Sequence, residues 1–123
     1  MELFRPVSAR EYRAIEERNF EGFPKRTEEQ PILTVLLSQE GAMEIARRMR
    51  VEKQKENKVF VVSFLVEDSY IRQFPVQILE EPDYSALWIP ADETEILNQH
   101  LIGKIRLVTS YQIDREDCDV FFA

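Results

Sequence analysis

The sequence predicts an α+β domain: a small mixed or antiparallel sheet core carrying two main helices and one short helix. Three observations carry this reading. KVFVVSFLV (58–66) is a nearly continuous run of β-branched and aromatic residues, the composition of a central strand covered on both faces. Ala42, Ile45, Ala46 and Met49 recur at the i, i+3, i+4, i+7 spacing of an amphipathic helix. The elements run strand, helix, strand, helix, then several strands with a small helix inserted. A chain of 123 residues suffices for one core. Residues 1–113 therefore read as a single domain and 114–123 as an acidic, then apolar tail.

Taken in order, LFRPV (3–7) reads as a strand, with Pro6 marking an edge or an end because it donates no ladder hydrogen bond. Ser8 and Glu11 form an S-x-x-E capping box, and Val7 with Tyr12 occupy the staple positions around it. The helix runs to about Arg18 and buries Tyr12, Ile15 and Ala14. Asn19 to Pro31, with Gly22, Pro24, Pro31 and many charges, is a loop long enough to suggest function. ILTVLL (32–37) is a buried strand, and Ser38 caps a helix from Gln39 to about Lys55. After the 58–66 strand, residues 67–73 make a turn or one helical turn. FPVQIL (74–79) is a strand, residues 80–84 a turn, and ALWIP (86–90) a strand ended by Pro90. Asp92 with Glu95 offers a second capping pattern for a short helix bearing Ile96 and Leu97. Gly103 ends the segment after that helix, and KIRLVTSYQI (104–113) is the last strand, with Ile105, Leu107 and Thr109 on one face.

Composition narrows the function classes. Hydrophobic residues make up 44% and charged residues 32% of the chain, a soluble globular balance. No apolar run reaches the roughly 20 residues that span a bilayer, so no membrane association is expected. MELFRP has no basic segment leading into an apolar stretch, so no secretory signal is expected and a cytoplasmic location is the default. The net charge of −7 disfavours nucleic acid as a partner. The clustered Arg47, Arg48, Arg50, Lys53 and Lys55 suit the dipole at a helix C-terminus better than a nucleic-acid patch.

Several familiar chemistries are missing. With three glycines there is no phosphate-cradling glycine loop, and no G-x-S-x-G elbow is present. His100 is the single histidine and Cys118 the single cysteine, which leaves no metal-ligating set. A Cys118–His100 dyad is opposed by the acids around Cys118, which raise a thiol pKa. His100 reads as a helix-end histidine or a catalytic one, and Trp88 as core packing or a stacking platform. Arg5 at the strand-to-helix corner, with Arg26 and Gln30 in the long loop, are candidate ligand contacts on a rigid frame or solvated surface groups. The tail residues Val120, Phe121 and Phe122 must dock on their own domain or meet a partner, a second protein or a second copy.

Three stretches carry a resemblance: LFRPVSAREYRAI, FPKRTEEQPI and LWIPADETEILNQHLIGKIRLV. Over about residues 3–111 the chain resembles a family of small bacterial proteins loosely labelled as ADP-ribosylation proteins. Phe4-Arg5-Pro6 matches the family's first motif. Phe23, Pro24, Arg26, Gln30, Pro31 and Ile32 match its F-P-x-R and Q-P-I motif, and Leu87–Pro90 with Asn98, His100, Gly103 and Ile105 match its last. The layout is similar to the ADP-ribosyltransferase-like fold, which implies a cleft for NAD or another nucleotide-type ligand, with no other cofactor required. The resemblance gives Arg5 the role of holding NAD and Ser63 that of the middle-strand serine. It places Arg26, Gln30, Trp88, Asn98 and His100 among the ligand-binding candidates. Ala86 stands where the family has glutamate immediately before L-W-[IV]-P. The resemblance therefore implies binding with weak or no catalysis. The alternative is a protein-interaction module, an accessory or neutralising partner.

Overall fold

The computed structural model describes residues 1–26, 30–49, 58–80 and 83–112. Among them, six strands form one sheet: β1 (Glu2–Ser8), β2 (Ile32–Leu36), β3 (Lys58–Val66), β4 (Val76–Ile78), β5 (Ser85–Pro90) and β6 (Leu101–Gln112). Their order is β4-β5-β2-β1-β3-β6, and every neighbouring pair is antiparallel. The sheet is thus antiparallel, not mixed. The helices are α1 (Ala9–Glu17), α2 (Gln39–Arg48), α3 (Asp68–Ile71) and α4 (Thr94–Gln99), the last preceded by a 3-10 turn over Ala91–Glu93. α3 is the single helical turn expected within 67–73, and α4 the short helix expected to carry Ile96 and Leu97.

Alternation along the strands divides the core between the two faces of the sheet. Leu3 and Val7 of β1 join Leu33, Val35, Val62 and Phe64 on one face, packed against Ile15 of α1, Tyr70 and Ile71 of α3, and Leu97 of α4. Phe4, Leu36, Val59, Val61 and Ala86 face the other way, onto Ala42, Ile45 and Ala46 of α2. β3 lies between β1 and β6 and is buried along most of its length, as its apolar run requires. The small Ala42 and Ala46 let α2 sit close to the sheet, and Ser38 caps it by accepting from the Gly41 amide at 3.0 Å.

Four local readings are corrected. Gly103 does not end a segment; β6 starts at Leu101 and runs through it, with φ at +77°, a conformation that suits glycine. Leu107 and Thr109 do not share a face, because the β3–β6 register breaks so that the adjacent Val61 and Val62 meet Thr109 and Leu107. Asp92 caps nothing: it lies within the 3-10 turn, and α4 begins without a side-chain cap. The 74–79 strand contracts to Val76–Ile78 at one edge of the sheet, with Val76 and Ile78 exposed. Residues 50–57, which hold the end of the expected 39–55 helix, and the tail 113–123, with Cys118, Val120, Phe121 and Phe122, lie outside the described residues.

Candidate functional site

The site begins with an irregularity in the sheet. β1 pairs with β3 along seven positions from Glu2 to Ser8 but with β2 at a single one, Phe4 opposite Leu36. Extending that register by two residues brings Pro6 opposite Thr34, and proline has no N–H to give the Thr34 carbonyl. Arg5 supplies the donor instead, its Nη1 bonding Thr34 O at 2.7 Å. One step further, Arg26 Nη2 donates to Ile32 O at 3.1 Å. Two guanidinium groups thus satisfy β2 carbonyls that the neighbouring strand leaves unmet.

Alternation puts Arg5 on the same sheet face as Leu3 and Val7, so its side chain enters the core, where it is 2% exposed. A buried cation needs a partner, and Glu11 of α1 provides it. Arg5 Nε donates to Glu11 Oε2 at 2.8 Å and Nη2 to Oε1 at 2.9 Å, a two-pronged contact that suits arginine's planar fork. Arg26 Nη1 reaches Glu11 Oε1 at 3.3 Å. The capping box is therefore only half made. Ser8 Oγ accepts from the Glu11 amide at 3.2 Å, but the Glu11 carboxylate is taken up by the two arginines. Arg5 and Arg26 meet on one carboxylate, and the glutamate between them reads in the sequence only as a cap. A signal for its second role is present: an acid six residues after a core-facing arginine, on the helix next in the chain.

Electrostatics fix the state of this triad. Burial alone would raise the Glu11 pKa, but the charge and hydrogen bonds of Arg5, then those of Arg26, outweigh it and hold the carboxyl below its ordinary 4.5. Burial, and then repulsion from Arg5, lower the Arg26 pKa, against the pull of Glu11. Because the folded-state pKa of Glu11 is depressed, its contribution to stability is full above the unfolded value and lost as pH falls through the folded one. Thermal melts taken downward from neutral pH should show stability falling below about pH 4.5. Glu11→Gln should remove that part of the acid dependence.

The loop that delivers Arg26 is pinned at two earlier points. Phe20 O accepts from the Ile105 amide at 2.7 Å, which holds Asn19 and Phe20 at φ of 58° and 60°, an unusual conformation for a bulky residue. Asn98 of α4 then grips Phe23 like a neighbouring strand: Oδ1 accepts from Phe23 N at 2.8 Å and Nδ2 donates to Phe23 O at 3.0 Å. Gly22 permits the approach, since a Cβ there would lie 2.8 Å from Asn98 Cγ.

The remaining candidates are spread over the domain. Ser63 is buried on the α2 side of β3, paired with Phe4 and Arg106. Trp88 pairs with Thr34 across β5 and β2 and is 45% exposed, so it is not a core residue. Ala86, by contrast, is fully buried against the α2 cluster. Gln30 is exposed beside the start of β2. His100 stacks on Tyr70 with ring centroids 4.4 Å apart and its Nδ1 lies 2.9 Å from Glu67 Oε1. Tyr70 in turn donates to Glu93 Oε2 at 2.7 Å, and burial together with that carboxylate pushes its phenol pKa well up. Among the described residues only Arg5 and Arg26 of these candidates touch a common partner; Trp88 faces the α2 side of the sheet with Ala86, opposite to the Arg5 side chain, and Asn98 and His100 serve other contacts.

Among the described residues no group of three or more His, Cys, Asp or Glu side chains is placed to hold a metal ion. No helix among them is long and apolar enough to cross a membrane. Compared with family models, with curated proteins and with solved structures, the chain finds no match in any of the three.

Proposed function

We propose that the chain is an ADP-ribosyltransferase-like binding domain that takes a nucleotide-type ligand, NAD first among them, beside the opening between β1 and β2, and does not turn it over. The observation that carries the reading is the convergence of Arg5 and Arg26 on one carboxylate. Two guanidiniums share Glu11, and the buried Arg26 Nε has no hydrogen-bond partner among the described residues. An anionic ligand group would accept from that donor. Ala86 supports the absence of turnover. Its methyl group packs among Leu36, Ala42 and Ile45, and it brings no carboxylate to the sheet.

A thermal-shift panel of NAD, ADP-ribose, AMP and inorganic phosphate tests this. A ligand bound only by the folded state stabilises it by about 2.7 kcal/mol at a hundred times its Kd. NAD or ADP-ribose should raise Tm in a saturable way and more than phosphate does. No shift with any nucleotide would overturn the reading in favour of a protein-interaction module. That second reading has its own support: Ile32 and Trp88 are both exposed on the same face of the sheet.

A further inference from the structure

The sheet has two outer edges among the described residues, and they differ. β6 carries Lys104 and Arg106, two register breaks and the positive-φ Gly103, and its Ile105 amide is already spent on Phe20 O. These are the devices by which edge strands avoid pairing. β4 has no register break, and its Val76 and Ile78 are the two most exposed large hydrophobic residues among those described, at 55% and 66%. The Leu79 amide donates to Tyr84 O, just before β5, so backbone alternation turns Gln77 inward to β5 and leaves the N–H and C=O of Val76 and Ile78 pointing outward.

We propose that this edge is an interface between two copies of the chain, with β4 pairing antiparallel to β4 of the second copy about a two-fold axis at Gln77. The outward geometry selects that register. Val76 of each copy then lies opposite Ile78 of the other, both residues present outward N–H and C=O groups, and four backbone hydrogen bonds close the pair. The β-branched side chains meet across the axis on one face, as favourable cross-strand pairs do. Charge agrees with the direction: Arg72 precedes the strand and Glu80 lies just after it, so antiparallel pairing brings the Arg72 end of each copy to the Glu80 end of the other. The paired segment is three residues long, which makes the association weak and reversible. It is independent of the ligand reading above.

Sedimentation velocity of the full chain from micromolar to millimolar concentration tests the proposal, together with amide exchange read residue by residue. A reversible dimer should appear as concentration rises, with the Val76 and Ile78 amides gaining protection in step. Ile78→Lys, at a site open enough not to disturb folding, should lower the association constant by about tenfold or more, because it places like charges near the axis. A chain that stays monomeric at millimolar concentration overturns the proposal. So does a dimer that Ile78→Lys leaves intact, or one whose formation does not protect the two amides.

Discussion

Replacing Glu11 with alanine should destabilise the protein by about 3–5 kcal/mol, the usual cost of stranding a buried charge by removing its partner. Two guanidiniums depend on that carboxylate, one through a two-pronged contact, and both side chains are nearly inaccessible to water at 2% and 3% exposure. The loss is a large fraction of the roughly 5–15 kcal/mol by which domains are typically stable. Glu11→Gln keeps the volume and one acceptor oxygen but not the charge, and should fall between wild type and Glu11→Ala. Urea titration read by circular dichroism gives all three values. Equal stability of wild type and Glu11→Ala would mean that the two arginines do not depend on that carboxylate.

Asn98→Ala should cost about 2–4 kcal/mol, since it removes both partners of the Phe23 backbone and an unmet buried polar group costs roughly 1–3 kcal/mol. The clamp fastens the loop to α4 three residues before Arg26, so its loss should also loosen the triad. Hydrogen exchange should show the Phe23 amide losing protection most. Gly22→Ala approaches the same contact from the other side. Its Cβ would lie 2.8 Å from Asn98 Cγ, so the asparagine must withdraw. If the two substitutions act on one contact, the double variant should be little worse than Asn98→Ala. Additive losses would instead give Gly22 a separate role.

Much of this is legible in residues 1–18. Alternation puts Arg5 between Leu3 and Val7, Ser8 announces α1, and farther along the apolar run at 58–66 identifies the strand that becomes β3. The role of Glu11 is only half legible, because a glutamate at that position satisfies a capping box equally well and the core-facing arginine six residues earlier is its one local sign. The second contact, from a loop residue fifteen positions away, leaves no local pattern. Asn98 and Trp88 escape local reading for the same reason. Asn98 shares a contact with Phe23, 75 residues earlier, and local pattern carries no information at that range. Trp88 has the surroundings of a core residue in an apolar strand, but α2 covers the sheet beside Ala86 and leaves Trp88 exposed. The bulges in β6 leave no mark in an alternating sequence, so the positions of Leu107 and Thr109 are visible only in the register.

Binding without turnover is tested most directly by equilibrium dialysis against labelled NAD. NAD carrying a label in its nicotinamide ring should be dialysed to equilibrium against the protein over a range of concentrations, and the same samples analysed for free nicotinamide. The expected result is saturable retention of NAD by the protein with nicotinamide release no faster than in buffer. Sustained release above that background would show that another acid stands in for the missing glutamate at Ala86. No retention up to millimolar NAD, with no release, would show that the arginine triad is only a clip for the sheet.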